Sequence, residues 1–244
     1  MAGSAIAAQL YTVREFTKTP EAIAETIGKV ADIGYEAVQL SALGDHDPAA
    51  LRKVCDDHGI TICATHSSYE AMRDDPQAVI DRHATYGCSY AGIGGLPGEY
   101  RNAEGFATFA KEASEVARRL AEGGLKFVYH NHNFELERFG DRTGLQILYE
   151  DSDPEVFLSE IDTYWVQAGG GSPAAWLRWL EGRAPCVHLK DMTMQGREQL
   201  MAEVGEGNLD WPAILEACKQ AGTEWYIVEQ DTCQRDPFES LAIS

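Results

Sequence analysis

Short apolar runs alternate with amphipathic stretches along the whole chain. The runs are Ala5–Tyr11, Ala37–Leu40, Thr61–Thr65, Tyr90–Ile93, Phe127–His132, Phe157–Asp162, Cys186–Asp191 and Trp225–Asp231. Most are continuously apolar rather than alternating, as strands buried on both faces of a parallel sheet are. The stretches between them carry a helical period. In Pro20–Ile33, Ile23, Ile27 and Val30 fall at i, i+4 and i+7 and form one stripe. Thr19 is placed to cap that helix and Gly34 to end it. Further helices are predicted over Asp47–His58, Pro76–Tyr86, Ala103–Glu122, Thr143–Glu150, Pro173–Glu181 and Trp211–Gln220. Eight strand–loop–helix units in 244 residues predict an α/β fold, a (β/α)8 TIM barrel, with residues 1–244 as a single domain. A doubly wound open sheet is the rival, but Gln9-Leu10-Tyr11-Thr12 stands where its Gly-rich phosphate loop belongs. Only Pro237–Ser244 follows the last run, about two helical turns, so the final helix is short or truncated.

Composition narrows the partners. A formal net charge of −19 disfavours phosphate backbones and anionic lipid, so nucleic acid and membrane surfaces are not expected partners. No apolar stretch is long enough for a membrane span. The six cysteines form no CxxC pair or regular spacing and read as reduced thiols of a cytoplasmic protein. The N-terminus lacks a basic leader segment and reads as part of the first strand rather than a signal peptide.

The last four runs share a polarity: apolar residues first, then His, Asp or Glu. Parallel strands would gather those ends at one rim of the barrel, where (β/α)8 enzymes carry their chemistry. Side chains alternate along a strand, so His130 and His132 share a face, as do Glu160 and Asp162, His188 and Lys190, and Glu229 and Asp231. His130, Asp162, His188 and Glu229 are the expected ligands of a divalent metal, with His132 as the alternative on the fifth strand. Mixed imidazole and carboxylate donors suit Mn2+ or Zn2+ best, with Co2+, Fe2+ and Mg2+ as further choices. Glu229 and His132 are candidates for proton transfer. Lys190 would polarise a substrate oxygen or else pair with Glu160 or Asp191. Asp231 would hold a substrate hydroxyl or orient His188.

Gln9, Gln39 and His66 stand at earlier strand ends, where polar side chains suit a polyol, and Trp165 offers an indole face for a sugar ring. His46, His58 and His83 read as surface residues, and Trp176, Trp179 and Trp211 as packing. The glycines of Glu203–Trp211 allow a tight loop over the mouth, with Asp210 capping the next helix.

At Tyr129-His130-Asn131-His132, Glu160-Ile161-Asp162-Thr163-Tyr164-Trp165, Val187-His188-Leu189-Lys190-Asp191, Val204-Gly205-Glu206-Gly207 and Val228-Glu229-Gln230-Asp231 the chain resembles the xylose isomerase-like barrel superfamily. More narrowly it resembles the sugar phosphate isomerase/epimerase group, together with ketose 3-epimerases, inosose dehydratase and endonuclease IV. The resemblance implies one metal held by Glu, Asp, His and Glu of strands five to eight, two of the carboxylates also passing protons. Asp162, His188 and Glu229 match three of those positions, while His130 replaces the strand-five Glu and Trp165 replaces a frequent His. It also implies a small-molecule sugar or polyol substrate and a possible homodimer. The expected activity is a metal-dependent sugar isomerase or epimerase. An inosose-dehydratase-like lyase and a sugar-binding barrel without catalysis are the alternatives. A nuclease is disfavoured by the charge and by His66 being the one histidine on strands two to four.

Overall fold

The computed structural model describes residues 5–244. Eight parallel strands close on themselves: β1 (Ala5–Gln9), β2 (Ala37–Leu40), β3 (Thr61–His66), β4 (Tyr90–Ile93), β5 (Lys126–His130), β6 (Phe157–Asp162), β7 (Cys186–Leu189) and β8 (Trp225–Val228). Closure is made by β8 against β1, where Ile6 pairs with Tyr226 and Ala8 with Val228. The helices between them are α1 (Pro20–Ile33), α2 (Pro48–Asp57), α3 (Pro76–Tyr86), α4 (Ala103–Glu122), α5 (Gly144–Asp151), α6 (Pro173–Trp179) and α7 (Trp211–Ala221). A last short helix, α8 (Pro237–Ile243), packs beside α1, and the Tyr35 hydroxyl donates to the Leu241 carbonyl at 2.9 Å. Among the described residues no helix is long and apolar enough to cross a membrane.

The caps follow from the sequence. Thr19 accepts the Ala22 amide, and Gly34 ends α1 at φ 117°, a conformation a side chain would resist. Thr143 and Gln146 form a reciprocal capping box on α5.

Several boundaries differ from expectation. The first strand stops at Gln9, whose side chain accepts the Tyr11 amide and starts a 3-10 turn over Leu10–Phe16. The fifth stops at His130, leaving His132 in the following loop. Short helices form at Tyr69–Asp74 and Thr163–Ala168, each opened by a side-chain cap, from Ser68 and from Asp162. Two antiparallel hairpins are added, one of Arg138–Phe139 with Arg142–Thr143 and one of Asp191–Gln195 with Glu198–Ala202.

Inside the barrel, the floor is made of small and medium residues that include Ala7, Ala37, Ala64, Val128, Cys186 and Ile227. Two residues further along the same inward faces, the composition turns polar: Gln9, Gln39, His130, His188 and Glu229 follow Ala7, Ala37, Val128, Cys186 and Ile227. The barrel therefore has a closed apolar floor and a polar upper layer. Leu, Phe and Val of the outward strand faces pack under the helices as the larger core.

Asp191 fixes one side of the mouth. Its buried carboxylate accepts five N–H groups: Met192 at 2.7 Å, Gly205 and Gly207 at 3.0 Å, Leu209 at 3.2 Å and the Trp211 indole at 2.6 Å. A Cβ on Gly207 would lie 2.3 Å from Asp191 Oδ1, so only glycine permits the approach. Asp191→Asn would turn an acceptor oxygen into a donor facing these N–H groups. We expect a loss of about 2–4 kcal/mol in urea unfolding and faster hydrogen exchange at Gly205, Gly207 and Leu209. Unchanged exchange there would show that the loop holds itself.

Candidate functional site

The upper layer gathers the strand ends named above. His130 comes from β5, Asp162 from β6, His188 from β7 and Glu229 from just past β8, and all four are buried. One donor atom of each lies within 4.8 Å of the others. Four of the separations are known individually. His188 Nδ1 is 2.9 Å from Glu229 Oε2 and 3.8 Å from Asp162 Oδ2. His130 Nε2 is 3.3 Å from Asp162 Oδ2 and 4.0 Å from Glu229 Oε2. Donors about 2.0–2.2 Å from a shared cation stand about 3–4.4 Å apart, so the set fits a transition-metal ion.

Glutamines of the same layer fix the imidazole. Gln39 Oε1 receives Gln9 Nε2 at 2.8 Å and faces His188 Nε2 at 2.7 Å, while Gln39 Nε2 donates to Glu160 Oε1 at 2.7 Å. With Gln39 so committed, His188 Nε2 must carry a hydrogen. In the neutral ring Nδ1 is then the lone pair, and Nδ1 is the atom aimed at Asp162 and Glu229. Glu160 also holds His66 Nε2 at 2.6 Å. His66 is given room by Gly92, where a Cβ would sit 3.2 Å from its ring.

Lys190 is fully buried and reaches the same oxygens. Its Nζ is 2.8 Å from Asp162 Oδ2, 2.7 Å from Glu229 Oε2 and 2.5 Å from Asp231 Oδ2. The expected partners Glu160 and Asp191 are therefore not the ones it has. Asp231 likewise faces Lys190 rather than His188. A metal bound by Asp162 and Glu229 would share those two oxygens with the ammonium, which Asp231 can still hold.

Electrostatics follow the crowding. Burial alone would lower His188, but Glu160 and Glu229 outweigh it and push it up to about 10. Burial would raise Glu229, yet Lys190 and His188 hold it well below the usual carboxylate range. Burial also opposes the charge on Asp162, and Lys190, His130 and His188 bring it down. Burial would lower Lys190, whereas Asp162, Glu229 and Asp231 hold it well above the ordinary lysine value. This excess of negative charge is what would draw a divalent cation. His132 moves the other way: burial, then His130, pushes it down to about 3.

At the mouth, Trp165 stands 5.3 Å from the His132 ring and 5.5 Å from Lys190 Nζ. The buried atoms His130 Nδ1, His132 Nδ1 and Trp165 Nε1 have no hydrogen-bond partner in the protein. Unpartnered polar atoms at this mouth leave donors and acceptors that a bound molecule or water could satisfy.

Some placements depart from the sequence reading. His83 is buried in α3 rather than on the surface, bonded to Thr65 and the Val79 carbonyl. His46 is half-buried against the Tyr86 hydroxyl, and His58 is exposed. Trp179 is about half exposed, whereas Trp176 and Trp211 pack against the core as expected. Two buried acids lie outside the expected ligand set. Glu160 is central to the network of Gln39 and His188, and its two-residue spacing from Asp162 was the available signal. Glu135 accepts the Tyr129 hydroxyl at 2.8 Å and the His132 amide at 2.9 Å, fixing the loop that carries His132. Burial pushes its carboxyl up to about 7. Nothing in the sequence pattern separates Glu135 from a surface glutamate.

The closed eight-stranded barrel, with a buried His, Asp and Glu cluster at its C-terminal rim that could hold a metal ion, defines a (β/α)8 protein. The family profile described as "Xylose isomerase-like TIM barrel" matches residues 27–241, and the chain belongs to that family. Inosose dehydratase of Geobacillus kaustophilus is 24% identical over 88% of this chain and 82% of its own length. A sugar phosphate isomerase/epimerase from Parabacteroides distasonis superposes with a TM-score of 0.81 at 21% identity, covering 98% of this chain and 95% of that one. An L-ribulose 3-epimerase superposes at 0.74 with 16% identity, covering 99% and 92%.

Proposed function

We propose that the chain is a divalent-metal-dependent isomerase or epimerase of a small sugar or polyol, acting by proton transfer beside a carbonyl. The observation that carries this is the quartet His130, Asp162, His188 and Glu229, with the buried ammonium of Lys190 against two of its oxygens. Mn2+ or Zn2+ held by the quartet would supply Lewis acidity to a carbonyl and its neighbouring hydroxyl. Glu229 takes the proton from the carbon between them. Its basicity rises as the Lys190 ammonium leaves Glu229 and stays with Asp231. Lys190 donates to the oxygen that gains charge. His132, held neutral by burial, moves the proton on the other side. Trp165 and His66 line the space for the rest of the substrate. Gln39, Gln9 and Glu160 act from behind by fixing His188.

Elemental analysis of the purified protein is expected to find about one Mn2+ or Zn2+ per chain. Chelation should abolish turnover of keto-sugars, and added metal should restore it. A metal-free protein at full activity would end this reading. A lyase is the second reading, favoured by the similarity to an inosose dehydratase along most of the chain. Product mass decides between them: conservation marks an isomerase, and loss of water marks a lyase. The six unpaired cysteines are in keeping with a cytoplasmic enzyme.

A further inference from the structure

The ends of β2 and β3, the loops after them and α3 line a half-open cavity of about 170 Å3. Its lining includes Ser41, Ala42, His66, Ser67, Arg82 and Tyr86. His66 links it to the quartet: its ring stands 5.3 Å from that of His130 and 5.6 Å from that of His188. Ala42 has φ 56°, the one positive φ on a non-glycine residue among the described residues. A strained backbone is retained where the surroundings demand it, commonly at ligand sites.

The hydrogens of the wall can be assigned. His83 Nδ1 lies 2.7 Å from the Val79 carbonyl, which can only accept, so Nδ1 carries the hydrogen. Burial lowers the basicity of this ring and keeps it neutral, so Nε2 is a bare lone pair. The Thr65 hydroxyl, 2.8 Å away, therefore donates to Nε2. Having one hydrogen, it must accept at its other contact, from Ser67 Oγ at 3.1 Å. Ser67 is left with lone pairs only. His46 repeats the arrangement. Its Nδ1 donates to the Gly44 carbonyl at 2.8 Å, and in the neutral ring Nε2 accepts the Tyr86 hydroxyl at 2.8 Å. Tyr86 then offers only acceptor capacity.

We propose that this cavity is a polyol subsite that takes the uncharged, hydroxylated far end of the substrate, with Ser67 and Tyr86 as acceptors, and excludes a phosphate there. It rests on the reading above only in that the reacting carbonyl lies at the quartet. An acceptor wall replaces the water lost by a hydroxyl but not that lost by a phosphate, which brings almost only acceptors. Size agrees: a cavity of about 150 Å3 admits benzene, six heavy atoms, the number in a three-carbon, three-hydroxyl end. Arg82 also lines the cavity as an exposed side chain, and its guanidinium is the donor whose contribution the Arg82→Gln comparison separates from that of Ser67 and Tyr86.

Glycerol, glycerol 3-phosphate and inorganic phosphate titrated into the nitrogen-15-labelled full chain test this. Glycerol should shift the Ser67 and Tyr86 amide signals saturably, with both phosphates at least about tenfold weaker. Thr65→Val and Ser67→Ala should each weaken glycerol about three- to tenfold. Imidazole spectra should show His83 protonated at Nδ1. Protonation at Nε2, or tighter binding of glycerol 3-phosphate that Arg82→Gln removes, overturns the subsite. If no keto-sugar turns over while glycerol still binds as described, the isomerase reading fails and the subsite stands. Turnover without glycerol binding removes the subsite alone.

Discussion

Lys190→Met is expected to cost the metal-free protein about 3–5 kcal/mol and to make its stability strongly dependent on a divalent cation. The ammonium touches Asp162, Glu229 and Asp231, and the first two are buried with Glu160 close by. Methionine fills much of the volume but removes the one lysine charge among them. The carboxylates must then take up protons or repel one another. A bound metal replaces the lost charge, and at about a hundredfold excess over its Kd it returns about 2.7 kcal/mol. Urea unfolding of both proteins, with and without Mn2+, measures this. The wild type should respond less to the metal than the variant. Equal midpoints for the two metal-free proteins would show that Lys190 does not balance the cluster.

Glu229→Gln is expected to lower kcat about 10²–10⁴-fold, the range for loss of a general base. The change keeps the shape and one oxygen near His188 and Lys190, so folding should survive. The amide cannot take a proton from carbon. If Glu229 served only as a ligand, added Mn2+ would restore turnover. If it is the base, metal content recovers and turnover does not. Solvent deuterium exchange into the substrate should disappear together with turnover.

The barrel was legible because most of its strands are continuously apolar and α1 to α4 end at or beside a glycine, Gly34, Gly59, Gly87 and Gly123. Period-two alternation also placed His188 with Lys190 and Glu229 with Asp231 on inward faces, as found. What was not legible depended on partners far away in sequence. Lys190 was equally placed to meet Glu160, and only the closed barrel turns it to Asp162 and Glu229. His83 has the surroundings of a surface histidine in its own helix, and β3 buries it. The short helices after Ser68 and Asp162 are too brief to carry a period. Their caps were present, but Asp162 was read only as a ligand.

The harness on Asp191 has a bearing on motion. The segment Gly205–Trp211 at the β7 side is tied by four N–H groups to Asp191, which adjoins Lys190. Swinging it aside would break those ties and disturb the ammonium as well. That side of the mouth is a fixed rampart, its shape set by one carboxylate.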